Sequence, residues 1–260
     1  MKRIATRLTC SLVALAALAT PSFGQTGVAV VNAAGFQANF PVSPGSLASA
    51  FPTGGTFTGA VQAGAVETPL PRTLGGAQLL VDGAAAPLIF VFEGQINFQV
   101  SSDLAPGRHK VSVTVGGSEV AGGSLDVIDA APGVFSLNPA DVLMPGAVLN
   151  QDSSVNGPHN PAARGSVVIV FGTGQGPLDG TVADGSPAPS ETLIVATTPT
   201  KAFVAAQEQT VIFSGLAPNF VGLWQTNVDL DDSVSGAVPL FLQLGDRGLT
   251  SNGVTIWVAQ

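Results

Sequence analysis

Amides and carboxylates are the residues with most chemistry to offer in this chain. Gln95, Asn97 and Gln99 alternate with Ile96, Phe98 and Val100, so a strand here carries apolar side chains on one face and amides on the other. A row of donors and acceptors can bind a partner, and Gln95, Asn97 and Gln99 form the candidate interaction face. A weaker copy follows at an offset of 128 residues, where Trp224, Thr226 and Val228 alternate with Gln225 and Asn227. Aligned in this way the copy keeps the apolar phase and only part of the amide row, which makes the amides the variable side. The amides also have two plainer uses, a solvated sheet face or a hydrogen-bonded seam between domains. Trp224 and Trp257 could supply an aromatic platform for a sugar, but Trp224 falls on the face of Ile96 and reads as core.

Asp229, Asp231 and Asp232 cluster in one loop, and calcium prefers hard oxygen ligands of this kind. The spacing lacks the glycine and the closing glutamate of an EF-hand loop, and Asp179 or Asp184 would have to help. A solvated acidic loop is the plainer reading, so no metal site is assigned. Two histidines follow the first 24 residues, His109 at the start of an alternating strand and His159 in the loop Asn156 to Arg164. A serine elbow of the form G-x-S-x-G is missing from the sequence, and with it the usual carrier of a hydrolytic triad. Glu93, the one acid close to an apolar strand core, reads as a strand-edge residue. Gly172-Thr173-Gly174-Gln175-Gly176 has the wrong spacing for a dinucleotide loop and runs into Pro177, so it reads as a glycine-rich turn at a sandwich edge. No catalytic residue and no cofactor is assigned, and the expectation is a protein that is not an enzyme.

The elements that position these residues are strands. Thirty-two glycines and nineteen prolines break up runs of Val, Ala and Leu, 45% of residues are hydrophobic, and no amphipathic helical period appears after residue 24. Asp82-Gly83 between Ala77 to Val81 and Ala84 to Val91 predicts a hairpin with a type I′ turn. Ala147 to Asn150 echoes Ala29 to Asn32, and Gly165-Ser166 and Phe171 fall 120 residues after Gly45-Ser46 and Phe51. Leu240, Leu242, Leu244 and Gly245 fall 129 after Val111, Val113, Val115 and Gly116. A period this long suits one sandwich domain rather than a solenoid repeat. The expected fold is all-β, with two tandem Ig-like β-sandwich domains over residues 25–131 and 132–260. The join near Ala130 to Pro132 leaves no room for a long linker, which predicts a semi-rigid pair.

The chain opens with Lys2, Arg3 and Arg7, the apolar run Leu8 to Ala19, and small residues at Ser22 and Gly24. This is the pattern of a secretory signal peptide over residues 1–24, cleaved after Gly24. The run is shorter than the roughly 18–20 residues a spanning helix needs, so no membrane span is expected. The one cysteine, Cys10, lies inside it, and the mature chain is left without thiol or disulfide. Removing Lys2, Arg3 and Arg7 leaves six basic residues against seventeen acidic ones, which argues against nucleic acid as a partner.

Several longer phrases carry a resemblance: VVNAAGFQ from Val30, PVSPGSLASAF from Pro41, GQINFQV from Gly94, AAPGVFSLN from Ala130, FSGLAPNFVGLWQTNV from Phe213 and the ending SNGVTIWVAQ. In these the chain resembles the uncharacterised C-terminal domain of secreted Acidobacteria proteins of the Solibacter type, with two halves similar to Ig-like domains of the IPT/TIG kind. The resemblance implies export and a β-sandwich fold, and supplies no activity or catalytic residue. The expected function is a secreted, non-enzymatic structural, adhesion or interaction module of the bacterial exterior. The alternative is an extracellular carbohydrate-binding protein. Expected partners are an extracellular protein or polysaccharide.

Overall fold

A computed structural model describes residues 26–37, 40–245 and 248–260, so the signal peptide expected over residues 1–24 lies outside the described residues. Among those described the chain forms strands and no helix. The first unit contains β1 (Thr26–Asn32), β2 (Leu47–Thr53), β3 (Ala63–Gly64), β4 (Ala77–Val81), β5 (Ala84–Ala85), β6 (Leu88–Phe92), β7 (Gln95–Gln99), β8 (Gly107–Val115) and β9 (Ser118–Val127). The second contains β10 (Gly133–Val134), β11 (Val148–Leu149), β12 (Val167–Thr173), β13 (Thr200–Val204), β14 (Gln207–Leu216), β15 (Trp224–Asp229), β16 (Gly236–Leu244), β17 (Leu249–Thr250) and β18 (Val254–Val258).

In the first unit β1, β2, β7 and β6 lie side by side, and β9, β8 and β4 make the facing layer, with β1 also running parallel to β9. In chain order this is the A-B-E-D and G-F-C arrangement of an immunoglobulin constant-type sandwich. The second unit repeats it: β12, β15 and the end of β14 form one layer, and β13, β16 and β18 the other. The fold is therefore all-β, two Ig-like sandwiches in tandem. Alternation puts the apolar side chains inside. Val111 and Val113 of β8, Leu240, Leu242 and Leu244 of β16, and Val254, Ile256 and Val258 of β18 are all buried. One core spans Val28 to Val127 and the other Ala130 to Val258.

The amide strand is preceded by a partner of its own. Glu93-Gly94 turns the chain, Phe92 faces Gln95, and the two strands form the β6–β7 hairpin. The ladders also change the repeat. Ala50 pairs with Ile96, whereas its counterpart Val170 pairs with Thr226. The true offset between β7 and β15 is thus 130 rather than 128. A slip of two residues leaves every side chain on its original face, which is why hydrophobic phase alone could not detect it. Strand A differs most: Gly133 and Val134 pair with Thr173 and Gly172 as Gly27 and Val28 pair with Thr53 and Pro52, but an excursion through residues 135–147 then intervenes before β11 resumes.

Asp82 and Gly83 have φ of 48° and 85° and make the expected two-residue turn between β4 and β5. The same turn in the second unit, between β13 and β14, is built from Ala205 and Ala206 at φ of 51° and 63°. Left-handed backbone costs an L-residue with a Cβ roughly 1–2 kcal/mol, and asparagine and glycine relieve it. The double change Ala205→Asn with Ala206→Gly is expected to raise stability by about 1 kcal/mol in urea unfolding. No change, or a loss, would show that the turn does not carry this strain.

Candidate functional site

β7 carries the amide row. Gln95 and Asn97 are half-buried and joined to each other, Gln95 Nε2 donating to Asn97 Oδ1 at 2.7 Å, and Ser49 Oγ of β2 donates to the same oxygen at 2.9 Å. With the corrected offset, Gln225 and Asn227 are their counterparts, and Gln225 Nε2 donates to Asn227 Oδ1 at 2.9 Å. The amide pair is therefore a shared feature of both sandwiches, not the variable part. Gln99 behaves differently. It is buried, its Nε2 donates to Gly45 O at 3.3 Å, and its Oε1 accepts from the Gly185 N–H of the second unit at 2.6 Å. Only five residues separate β9 from β10, so the end of the first sandwich is brought directly onto loops of the second.

Those loops make a dense seam. The Thr173 hydroxyl, fully buried, accepts from Leu47 N–H at 2.8 Å and donates to Gly222 O at 3.2 Å. Asp184 accepts from Ser101 Oγ at 2.8 Å and from Ser102 N–H at 3.0 Å. Leu70 N–H donates to Gly185 O at 2.7 Å, and Asn32 Nδ2 donates to Ala131 O at 2.8 Å. The glycine-rich run, read from sequence as an edge turn, sits in the middle of this contact. Gly174 has φ of 86°, its carbonyl accepts from Ala131 N–H, and a side chain there would collide with the Ala131 carbonyl oxygen. Gly-x-Gly-x-Gly was the available signal, and its partner across the join was what the sequence could not supply.

Beside the seam lies a cleft of about 280 Å³, lined by Gly45, Ser102, Asp103 and Asp129 of the first unit and, in the second, chiefly by Gln175 to Leu178 and Gly180 to Val182. Leu178 and Val182 of its wall pack with Ala188, Ile194 and Leu216 in a small separate core. Gln175 borders this cleft and is 1% exposed, and its Oε1 is buried without a hydrogen-bond partner among the described residues. Read from the sequence, this position has no role beyond membership of the glycine-rich run.

The remaining candidates lie apart. Asp229 is the positional counterpart of Gln99, at the far end of the second unit. In its own loop Asp231 is held below the usual carboxylate range by Ser233, first by its hydroxyl and then by its N–H, and Asp232 O accepts from Arg164 Nε. Asp179 accepts from Val195 N–H, and Asp184 is committed to the seam. Among the described residues no three acid, histidine or cysteine side chains converge as a metal site. Glu93 is exposed in the hairpin turn and accepts from Gly59 N–H at 3.2 Å. His159 is exposed. His109 is held between two acceptors, Asp82 Oδ2 at 2.7 Å on Nδ1 and Ala105 O at 2.8 Å on Nε2. Both ring nitrogens then favour carrying a proton. The Asp82 bond raises the His109 pKa, and the same bond lowers that of Asp82. Trp224 is fully buried with Nε1 donating to Ser214 Oγ at 2.9 Å, while Trp257 is half-buried.

No family model matches the sequence, and no curated protein does. Similar solved structures include SGBP-B of the Bacteroides ovatus mixed-linkage glucan utilization locus, in complex with a mixed-linkage heptasaccharide. Identity is 10% and the TM-score 0.35, over 86% of this chain and 44% of that one. The Escherichia coli adhesin FdeC is 13% identical with a TM-score of 0.25, over 91% of this chain and 64% of that one. Tandem Ig repeats of Dlar are 9% identical with a TM-score of 0.24, over 90% and 98%. The chain spans less than half the length of the first and under two thirds of the second. Likenesses this distant carry no argument about function. No helix among the described residues is long and apolar enough to cross a membrane.

Two predictions follow from the seam and the histidine. Thr173→Val keeps the shape but leaves the buried Leu47 N–H unpaired, and is expected to cost about 1–3 kcal/mol in denaturant unfolding. A change within error would mean that the hydroxyl does not pin the seam. For His109, whose pKa is raised on folding, the stabilisation is complete below about pH 6.5, the unfolded value, and is lost as pH rises through the folded one. Asp82, whose pKa is lowered, contributes above about pH 3.9 and loses its contribution as pH falls through its folded value. Thermal stability of wild type should therefore decline as pH rises beyond the slightly acidic range, and Asp82→Asn should flatten that decline. Equal slopes in the two proteins would refute the pairing.

Proposed function

We propose that the chain is an exported, non-enzymatic structural or adhesion module of the bacterial exterior, of the Solibacter-type domain family that it resembles. The observation that supports this reading is the seam. Buried hydrogen bonds on Thr173 and Gln99, and a half-buried one on Asp184, fix one sandwich against the other. A rigid pair of this kind holds its outer loops at a set separation, which is what a spacer or adhesive module needs and a tethered string of domains lacks. The reading places residues 1–24 as a cleaved signal and divides the rest near residue 131. Carbohydrate binding is the alternative, favoured by one observation, the cleft beside the seam with Ser102, Asp103 and Asp129 on its wall.

Fractionation of a bacterium expressing the full chain tests the main reading, together with binding of the purified protein to intact cells and to extracted extracellular polymer. The expected result is processed protein outside the cytoplasm, retained on one of those materials. Cytoplasmic retention, or turnover of glycoside, ester or peptide substrates by the purified protein, would overturn it.

A further inference from the structure

We propose that residues 101–106, in the loop between β7 and β8, form a latch whose hold on the seam depends on the protons carried by His109. The latch is closed in the slightly acidic range and opens as pH rises. It acts on the seam itself and depends neither on export nor on carbohydrate binding.

The loop is tied at both ends. At its start Ser101 Oγ donates to Asp184 Oδ2 at 2.8 Å and Ser102 N–H to Asp184 Oδ1 at 3.0 Å, so one carboxylate of the second unit holds it. At its other end the Ala105 carbonyl lies 2.8 Å from His109 Nε2. Between these ties Leu104 N–H donates to Ser101 O at 3.3 Å, and the Leu104 side chain packs against the core of the first unit. The turn closed in this way moves as one piece, with Leu104 as its pivot.

The His109 side chain, 13% exposed, stands between Ala105 O and Asp82 Oδ2, the latter 2.7 Å from Nδ1. Both partners are acceptors, so making both bonds takes a proton on each nitrogen, and the neutral ring carries one. Asp82 cannot supply the second. The His109 bond, and then the Lys110 N–H 2.8 Å from its other oxygen, hold its carboxyl below the usual range. The remaining proton stays on Nδ1, where the acceptor is charged and the bond is stronger. The Nε2 lone pair then faces the lone pairs of Ala105 O, and the two must part. Deprotonation therefore frees the loop and leaves the β4–β5 turn attached.

The charged groups on the elements packed round the ring are few. Asp82 belongs to the β4–β5 turn, Asp103 to the loop, and Asp126 to β9, where it lies 4.0 Å from Arg108. Arg108 and Lys110 flank His109 on β8 and by alternation point to the other face of the sheet. The partner of His109 across β9 is the uncharged Leu125. The charge in contact with the ring is thus the Asp82 carboxylate, which moves its titration above the ordinary value of about 6.5.

NMR titration of the purified protein from about pH 5.5 to about pH 9, either side of the usual histidine range, tests this. The probes are the His109 ring and the Ser102 and Gly185 amides, one on each side of the Asp184 contact. Both amides are expected to shift with the midpoint of the ring. Their exchange protection, corrected for the intrinsic rate at each pH, should be lost above it. His109→Gln should abolish the response, and His159→Gln should leave it intact. Asp184→Ala should leave His109 titrating while Gly185 no longer follows, because the loop has been cut from the second unit. Amides that ignore the ring's midpoint, a His109 midpoint below the ordinary value, or a response that survives His109→Gln or is lost in His159→Gln would each overturn the latch. A Gly185 response that persists in Asp184→Ala would overturn it too, since the signal would then bypass the loop.

Discussion

Backbone groups buried where two sandwiches meet must be paired from the other side, and this requirement organises the molecule. Leu47 begins β2, its side chain and its N–H are enclosed by the second unit, and the N–H has one acceptor, the Thr173 hydroxyl. Thr173 can reach it because it ends β12 and because the next residue is a glycine in left-handed conformation, which lets the chain fold back onto Ala131. Gly185 is held in the same manner, its N–H by Gln99 and its carbonyl by Leu70. The Thr173 and Gln99 contacts join residues 126 and 86 positions apart, so they depend on both sandwiches being in place. The seam is in this sense an outcome of two folded cores, and it then removes their freedom to turn against each other.

The architecture was legible because it rests on period-two alternation, which the sequence states directly. Val111-Ser112-Val113 and Leu240-Phe241-Leu242 could be placed on strands with one face inward from their order alone. The Asp82-Gly83 turn was equally plain, since few residue pairs accept its dihedral angles. Its counterpart was not. Ala205-Ala206 carries no turn signal, and the surrounding ladder imposes the conformation. Register was the other blind spot: shifting β15 by two residues preserves every hydrophobic match, so the amide pair of Gln225 and Asn227 was misaligned and looked incidental. The cleft was illegible for a different reason. Asp103, Asp129 and Gln175 come from three loops, and only the docking of the two units brings them round one space.

That contrast bears on what kind of function the chain can hold. Features repeated in both units, such as the Gln-x-Asn pair, belong to the sandwich itself and recur wherever the fold does. Features of the pair are made once. Gln99 and Asp229 occupy the same rung of equivalent strands, yet one is buried against a neighbouring unit and the other is open to solvent. Identical architecture thus acquires different chemistry from what it abuts. The function proposed for this chain accordingly lies in the relation between its units and in the loops that relation leaves outside.

The parallel pairing of β1 with β9 has a mechanical meaning. Thr26 to Ala29 lie alongside Ala121 to Ser124, first strand against last, and in the second unit two single parallel bridges, Pro145 to Thr255 and Ala162 to Val258, tie the chain ahead of β12 to the last strand. Tension applied through the ends of the chain pulls such strands along their length in opposite directions. The hydrogen bonds between them are then loaded together in shear, instead of being opened one after another as in a zipper. A protein anchored at one end and gripped at the other would carry load in its strongest geometry.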